Sequence, residues 1–324
     1  MVGIACFCII AYGITPVTIA QTSSRDENLA RFLLEEIRGA RQKIRDVKHT
    51  AIYHDYQSPK AFQLSLERLA LQLKEKYPEE RAEDEIRRLK ENYSEHRFER
   101  LDMAIDSGGR ARIETNSGRA SEKGILVTAD STRKVVTWDG ENAIEYYEDS
   151  KNLKSAILSN ERPFETTERF RRPWRQFGGN FYDRLSRTTD ENTKVDVERT
   201  EDGLYRITIF SGDDGRETGT LDPSQGYSLI RTEYHSGPHL VGFNEATFME
   251  VSPDIWFPVE GEVVWFFETG PPEVARKTSM EVSDIVVNDP NFYDGLFHVD
   301  FPKGTHVSDR TTGRRYIVGE PTRN

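Results

Sequence analysis

Residues 226–234 read GYSLIRTEY, residues 241–251 read VGFNEATFMEV and residues 255–268 read IWFPVEGEVVWFFE. In the first run Tyr227, Leu229 and Arg231 alternate with Ser228, Ile230 and Thr232. In the second, Val241, Phe243, Thr247, Met249 and Val251 fall on one side of a pleat, and in the third Val259, Val263, Trp265 and Phe267 share a face. Side chains alternate faces along a strand, so a period of two predicts long antiparallel strands and not helix. Residues 280–287, 296–301 and 314–318 repeat the pattern, which makes 226–318 the organising sheet. The third run is apolar on both faces, because Val264 and Phe266 oppose Val263 and Trp265. One face can pack into the core. The other needs a helix, a partner or a bound acyl chain over it.

Working outward, residues 193–199 and 204–210 predict a hairpin that turns at 213–215 into a strand at 218–221. Upstream, 93–106, 109–115 and 124–129 read as strands, 133–138 and 143–147 as a hairpin, and 153–160 as a short helix. Residues 27–45 place Leu29, Phe32, Leu33, Ile37, Ala40 and Ile44 at helical spacing behind Ser24 and Asp26, so this stripe must bury against the sheet. Residues 47–56 alternate as a first strand, whose His49 and His54 point to opposite faces and are expected at the surface or an edge. Ser58-Pro59 opens a second helix and Pro78 a third, forming a helical insertion over 57–92. The third helix, 79–91, is nearly all charged and reads either as a solvated face or as a protein-partner surface.

The segment 161–187 has the most unusual composition in the chain. Phe164, Phe170, Trp174, Phe177, Phe181 and Tyr182 are interleaved with Arg162, Arg169, Arg171, Arg172, Arg175, Arg184 and Arg187. Alternating aromatics and arginines can stack single-stranded nucleic acid, meet an anionic lipid headgroup beside its acyl chain, or pack inward while the guanidiniums reach solvent. With Trp265 and Phe266, the six aromatics are the candidate lining of a ligand cavity.

The 324 residues suffice for one β-rich domain, expected over 21–324. A net charge of −11 spread along the chain argues against nucleic acid as a partner. With 31% charged residues, 10% aromatics and a mean hydropathy of −0.68, the composition is that of a well-solvated folded chain. Residues 1–20 carry no charge and end Thr18-Ile19-Ala20, which reads as a signal peptide cut after Ala20 or, competing with it, a retained membrane anchor of about 20 residues. The first reading gives a periplasmic or secreted protein, the second an envelope-tethered one. Both cysteines, Cys6 and Cys8, lie in this segment, so cleavage leaves no thiol for disulfides, zinc or nucleophilic catalysis.

Motifs for catalysis are absent from the sequence. It has no G-x-S-x-G, no H-E-x-x-H, no P-loop and no G-x-G-x-x-G. His235 and His239 have Gly237-Pro238 between them, which forbids a helical metal pair. No cofactor is indicated.

Three motifs in succession carry a resemblance: D-P-x-x-G-Y from Asp222 to Tyr227, I-W-F-P from Ile255 to Pro258, and L-F-H-V-D-F-P-K-G-T-H-V-S-D from Leu296 to Asp309. Their order resembles the later half of the LolA-like lipoprotein-carrier family, half-barrels of bacterial envelopes, and W-D-G-E at 138–141 is similar to that family's central hairpin. The resemblance implies a strongly curved antiparallel sheet of about ten strands in an incomplete barrel. Helices from the N-terminal region and from 161–187 are expected over its hollow. It also implies non-enzymatic carriage of a lipid or lipoprotein acyl chain, and a sheet burying an alkyl chain gains about 0.8 kcal/mol per methylene. No functional residue of the family is carried over. The other readings are an envelope-stress sensor or interaction module on the same fold, with 79–91 as its partner surface, and an envelope hydrolase.

Overall fold

The computed structural model describes residues 24–91, 93–120, 131–163, 180–188, 194–211, 214–267, 272–292 and 294–320. The signal-like segment 1–20, the expected strand at 124–129, and Phe164, Phe170, Trp174 and Phe177 lie outside the described residues.

Helix α1 (Ser24–Gln42) leads into β1 (Val47–Gln57), and a helical pair, α2 (Pro59–Lys76) and α3 (Glu79–Glu91), precedes β2 (His96–Ile105) and β3 (Ala111–Arg119). Then come β4 (Thr132–Trp138), β5 (Ala143–Glu148), β6 (Lys154–Ser159), helix α4 (Asn180–Thr188), β7 (Val195–Arg199), β8 (Tyr205–Ser211) and β9 (Gly215–Asp222). Four long strands follow, β10 (Ser228–Ser236), β11 (His239–Ser252), β12 (Ile255–Phe266) and β13 (Val274–Val287), and two short ones, β14 (His306–Asp309) and β15 (Arg314–Ile317), close the series.

All fifteen described strands belong to one sheet in the order β15-β14-β6-β5-β4-β3-β2-β1-β13-β12-β11-β10-β9-β8-β7. Every pairing is antiparallel except β14 with β6. The sheet does not close, since β15 and β7 are its two ends. It is the open, mainly antiparallel architecture expected, with more strands than the ten or so anticipated.

Registers allow one face to be followed from strand to strand. Ile209 faces Glu217, Glu217 faces Tyr234, Tyr234 faces Gly242, and Gly242 faces Trp265. Further along, Ala246 faces Gly261, Gly261 faces Met280, Met280 faces Tyr53, and Ala51 faces Leu101. This inner face carries two of the three apolar cores. One joins Leu33, Leu34 and Ile37 of α1 and Phe181 and Leu185 of α4 to Ile207, Leu221 and Leu229 of the sheet. The other gathers Ala51, Tyr53, Leu101, Met103, Phe257 and Met280. The third core, around Val135, Tyr146, Ala156 and Val307, is on the opposite face, because these residues sit at the alternate register positions.

The two expected covering helices thus both pack on the inner face. α1 buries Ala30, Leu33, Leu34 and Ile37, while Phe32, expected in the stripe, is 43% exposed and meets the edge of Tyr227 at 6.3 Å. The α2–α3 pair is an excursion between β1 and β2, which are direct neighbours. Ser58 caps α2, its Oγ accepting a hydrogen bond from the Ala61 N–H at 3.2 Å, and Pro59 fills the first helical position. Ser58→Ala is expected to lower stability by about 1 kcal/mol in urea denaturation, with Ser58→Asp restoring the acceptor.

Three expectations are corrected. Residues 153–160 form strand β6, not a helix, because Ala156 and Leu158 belong to the third core and pairing with β5 and β14 overrides local propensity. Residues 296–301 are not a strand: a 3-10 turn (Asp294–Phe297) gives way to irregular chain whose His298 carbonyl accepts from Arg112 at 2.9 Å. Val299 and Phe301 pack on the third core, so the alternation was real but β14 holds the place beside β6. His49 is 2% exposed rather than superficial, because β1 is a central strand and His49 shares the inner face with Ala51 and Tyr53.

Candidate functional site

The motifs D-P-x-x-G-Y and I-W-F-P meet at one place. Asp222 closes a 3-10 turn (Pro223–Gln225) by accepting from the Ser224 N–H at 2.8 Å and from Gln225 Nε2 at 2.8 Å. Gly226 then takes the left-handed conformation (φ +63°), and Tyr227 follows at φ +59°. A side chain on Gly226 would put its Cβ 3.3 Å from the Trp256 ring, so glycine is required by φ and by the approach of the indole. Trp256 and Gly226 together form one wall of a cleft whose other wall is the C-terminal half of α1. It is open to solvent, with about 370 Å³ of space that includes that solvent, and is lined by Ile37, Ala40, Ile44, Tyr182, Tyr227, Phe248 and Trp256, with Arg41, Ser228 and Asp254 as its polar members.

A larger groove of about 1220 Å³ at the far end of β1 to β5 has Asp55, Arg97, Glu99, Ser117, Arg119 and Asp149 in its walls. Its charge makes it a poor host for an apolar chain. The mainly apolar lining at the α1 seam makes that cleft the better candidate.

Further along the inner face lies a small polar island. Glu217 is 1% exposed and Arg184 of α4 stands 3.0 Å from its Oε2. The pair is a charge contact and not an aligned hydrogen bond, for neither carboxylate oxygen has a hydrogen-bond partner among the described residues. Burial pushes the Glu217 carboxyl up, with Arg184 opposing. Tyr234, opposite Glu217, accepts from Asn244 Nδ2 at 3.0 Å, and burial followed by the nearby carboxylate raises its phenol. Thr232 Oγ1 and Asn244 Oδ1, on neighbouring strands, are buried with no partner among the described residues. Buried polar atoms are normally paired with protein or ordered water.

The structure separates the predicted cavity residues. Phe181 and Tyr182 are buried on the inner face. The tip of the Phe181 ring sits against Gly219, where a Cβ would come within 2.4 Å of its Cζ, and Tyr182 lies under the Arg41 guanidinium at 3.9 Å. Trp265 is also on the inner face, lying over Gly242 and 4.9 Å from the Tyr234 ring, but is 39% exposed. Phe266 faces the other way and packs 6.2 Å from Phe243. Arg41 and Phe248 line the cleft and were not singled out from sequence, while Ile37 and Trp256 were read as stripe and motif residues and not as cavity lining.

The alternation in β11 also resolves differently. Gly242, Asn244 and Ala246 face inward and are buried, whereas Phe243 and Met249 face outward, because rings from neighbouring strands need small residues beneath them. Among the described residues no three His, Cys, Asp or Glu side chains converge as a metal site, and no helix is long and apolar enough to cross a membrane.

By its architecture the chain is an open, mainly antiparallel sheet protein with two helices on its inner face. No family model matches it, and no curated protein does either. Among solved structures it is similar to a DUF1329 family protein from Desulfovibrio piger, at 10% identity and a TM-score of 0.41, over 84% of this chain and 97% of that one. It is also similar to a "putative outer membrane lipoprotein-sorting protein domain" from Vibrio parahaemolyticus, at 11% identity and a TM-score of 0.38, over 83% and 97%. Superpositions at these scores are too loose to carry an argument about this chain.

Proposed function

We propose that this protein binds the acyl chain of a lipid or lipoprotein without chemical turnover, in the bacterial envelope. The observation that carries the reading is the cleft at the α1 seam, a solvent-open recess with Ile37, Ile44, Phe248 and Trp256 in its lining that continues the inner face of an unclosed sheet. The sequence resemblance to lipoprotein carriers and the uncharged residues 1–20 support the same reading. Each methylene moved from water into the cleft contributes about 0.8 kcal/mol, so a chain of several carbons binds without any reactive group.

A test uses contact quenching. Dodecanoate brominated along its chain is expected to quench tryptophan emission where plain dodecanoate does not, and Trp256→Phe is expected to remove the largest share of that quenching. Equal emission with brominated and plain chains would count against binding at this cleft. Residue Trp174, also proposed as a contact, is expected to contribute through weaker lipid capture in Trp174→Ala.

A second reading is favoured by α2. Its Leu64 and Leu71 are 44% and 67% exposed and seven residues apart, so they lie on one helix face. That face, with α3 beside it, suits a protein partner of an envelope sensor. A pull-down in which Leu64→Asp with Leu71→Asp abolishes capture of one specific polypeptide would support it.

A further inference from the structure

The cleft at the α1 seam sets one guanidinium among mainly apolar side chains, with Ser228 and Asp254 also in its lining. Arg41 stands in the last turn of α1 with its guanidinium carbon 3.9 Å from the centre of the Tyr182 ring. A guanidinium held over an aromatic face keeps its N–H groups for acceptors in its own plane. Arg41 Nη2 is buried and has no hydrogen-bond partner among the described residues. Ile37, Ile44, Phe248 and Trp256 share the same cleft. At the rim, Lys43 Nζ lies 3.5 Å from the Asp254 carbonyl oxygen, so a second cation stands at the mouth of the cleft. A buried N–H without an acceptor is unfavourable, and arginine takes carboxylate or phosphate oxygens two at a time.

We infer that the cleft receives the anionic head of a single-chain amphiphile, a carboxylate or phosphate carried on an acyl chain. Arg41 pairs with the head, and Ile37, Ile44, Phe248 and Trp256 pack on the adjoining carbons. The inference rests on the acyl-chain reading above and adds to it a head-group class and a direction of entry.

Calorimetric titration of the delipidated full chain tests it, with dodecanoate, dodecanol and inorganic phosphate as the three probes. Wild type is expected to bind dodecanoate about 10- to 100-fold more tightly than dodecanol, the range a charge-assisted hydrogen bond supplies. Arg41→Met is expected to abolish that preference. Arg41→Lys, which keeps the charge but not the planar fork, is expected to retain part of it and serves if the methionine variant does not fold. Equal affinity for acid and alcohol, unaltered in either variant, overturns the head-group inference while the acyl-chain reading stands. No binding of either chain overturns both, and phosphate binding as tightly as dodecanoate overturns the amphiphile in favour of a free-anion site.

Discussion

Phe181→Ala is expected to lower the free energy of unfolding by about 3–5 kcal/mol, the cost of removing a fully buried phenyl ring. The ring is 0% exposed, seated on Gly219 at the junction of α4 with the sheet, and it belongs to the core that α1 and α4 share. Its fit is specific. Gly219→Ala would set a methyl 2.4 Å from Phe181 Cζ and 2.7 Å from Cε1, and is expected to cost about 1–3 kcal/mol through overpacking. Phe181→Leu gives back some of that space, so Phe181→Leu combined with Gly219→Ala is expected to cost less than the sum of the single changes. Urea denaturation followed by circular dichroism reads all four proteins. Additive losses would mean that the two residues do not touch, and a loss below about 1 kcal/mol for Phe181→Ala would mean that α4 is not seated on the sheet.

The second large effect is acid sensitivity centred on His49. Burial lowers its pKa from 6.5 to about 4, with the Asp102 carboxylate opposing in part. Both ring nitrogens lack a partner among the described residues, and the ring packs against Phe257 at 5.2 Å. A folded-state pKa below the unfolded one means that the folded chain holds the neutral ring. The associated stability is therefore complete above about pH 6.5 and is lost as pH falls from there to about 4, by about 3 kcal/mol at the end of that window. His49→Leu is expected to remove this component of the pH profile and to raise stability at pH 5 relative to wild type. Identical profiles for the two proteins between pH 7 and pH 4 would show that His49 is charged or solvated in the folded state.

These two residues illustrate what was legible in the sequence. Strand positions were readable wherever one face is apolar and the other wet, as in β10, β11, β13, β4 and β5, because the pleat imprints a period of two. The helical insertion was readable from Ser58-Pro59 and from the charge pattern of α3. Choice of face in β11 was not, because Gly242, Asn244 and Ala246 look like the solvent side until the rings of Trp265 and Tyr234 are seen above them. His49 was misplaced for a related reason, since a strand's position within the sheet depends on long-range pairing with β2 and β13. Residues 153–160 and 296–301 failed where pairing order decided between helix, strand and irregular chain.

The candidate site was legible only in part. Phe181 and Tyr182 stood out among arginines, and both are buried on the inner face. Arg41 did not stand out, because a basic residue in the last turn of a helix is ordinarily a solvated partner of the helix dipole. Glu217 was likewise hidden, since a carboxylate on a strand normally marks the wet face and not a buried position beside a half-exposed arginine such as Arg184. Only the folded registers bring these groups to one surface.

Native mass spectrometry of the full chain released from its producing cells without detergent tests the central claim most directly. If the inner face serves to hold an acyl chain, the spectrum contains a one-to-one adduct that dissociates to a lipid or fatty acid, and the delipidated protein regains such an adduct from phospholipid vesicles. A spectrum showing only the bare chain, before and after exposure to those vesicles, would contradict it.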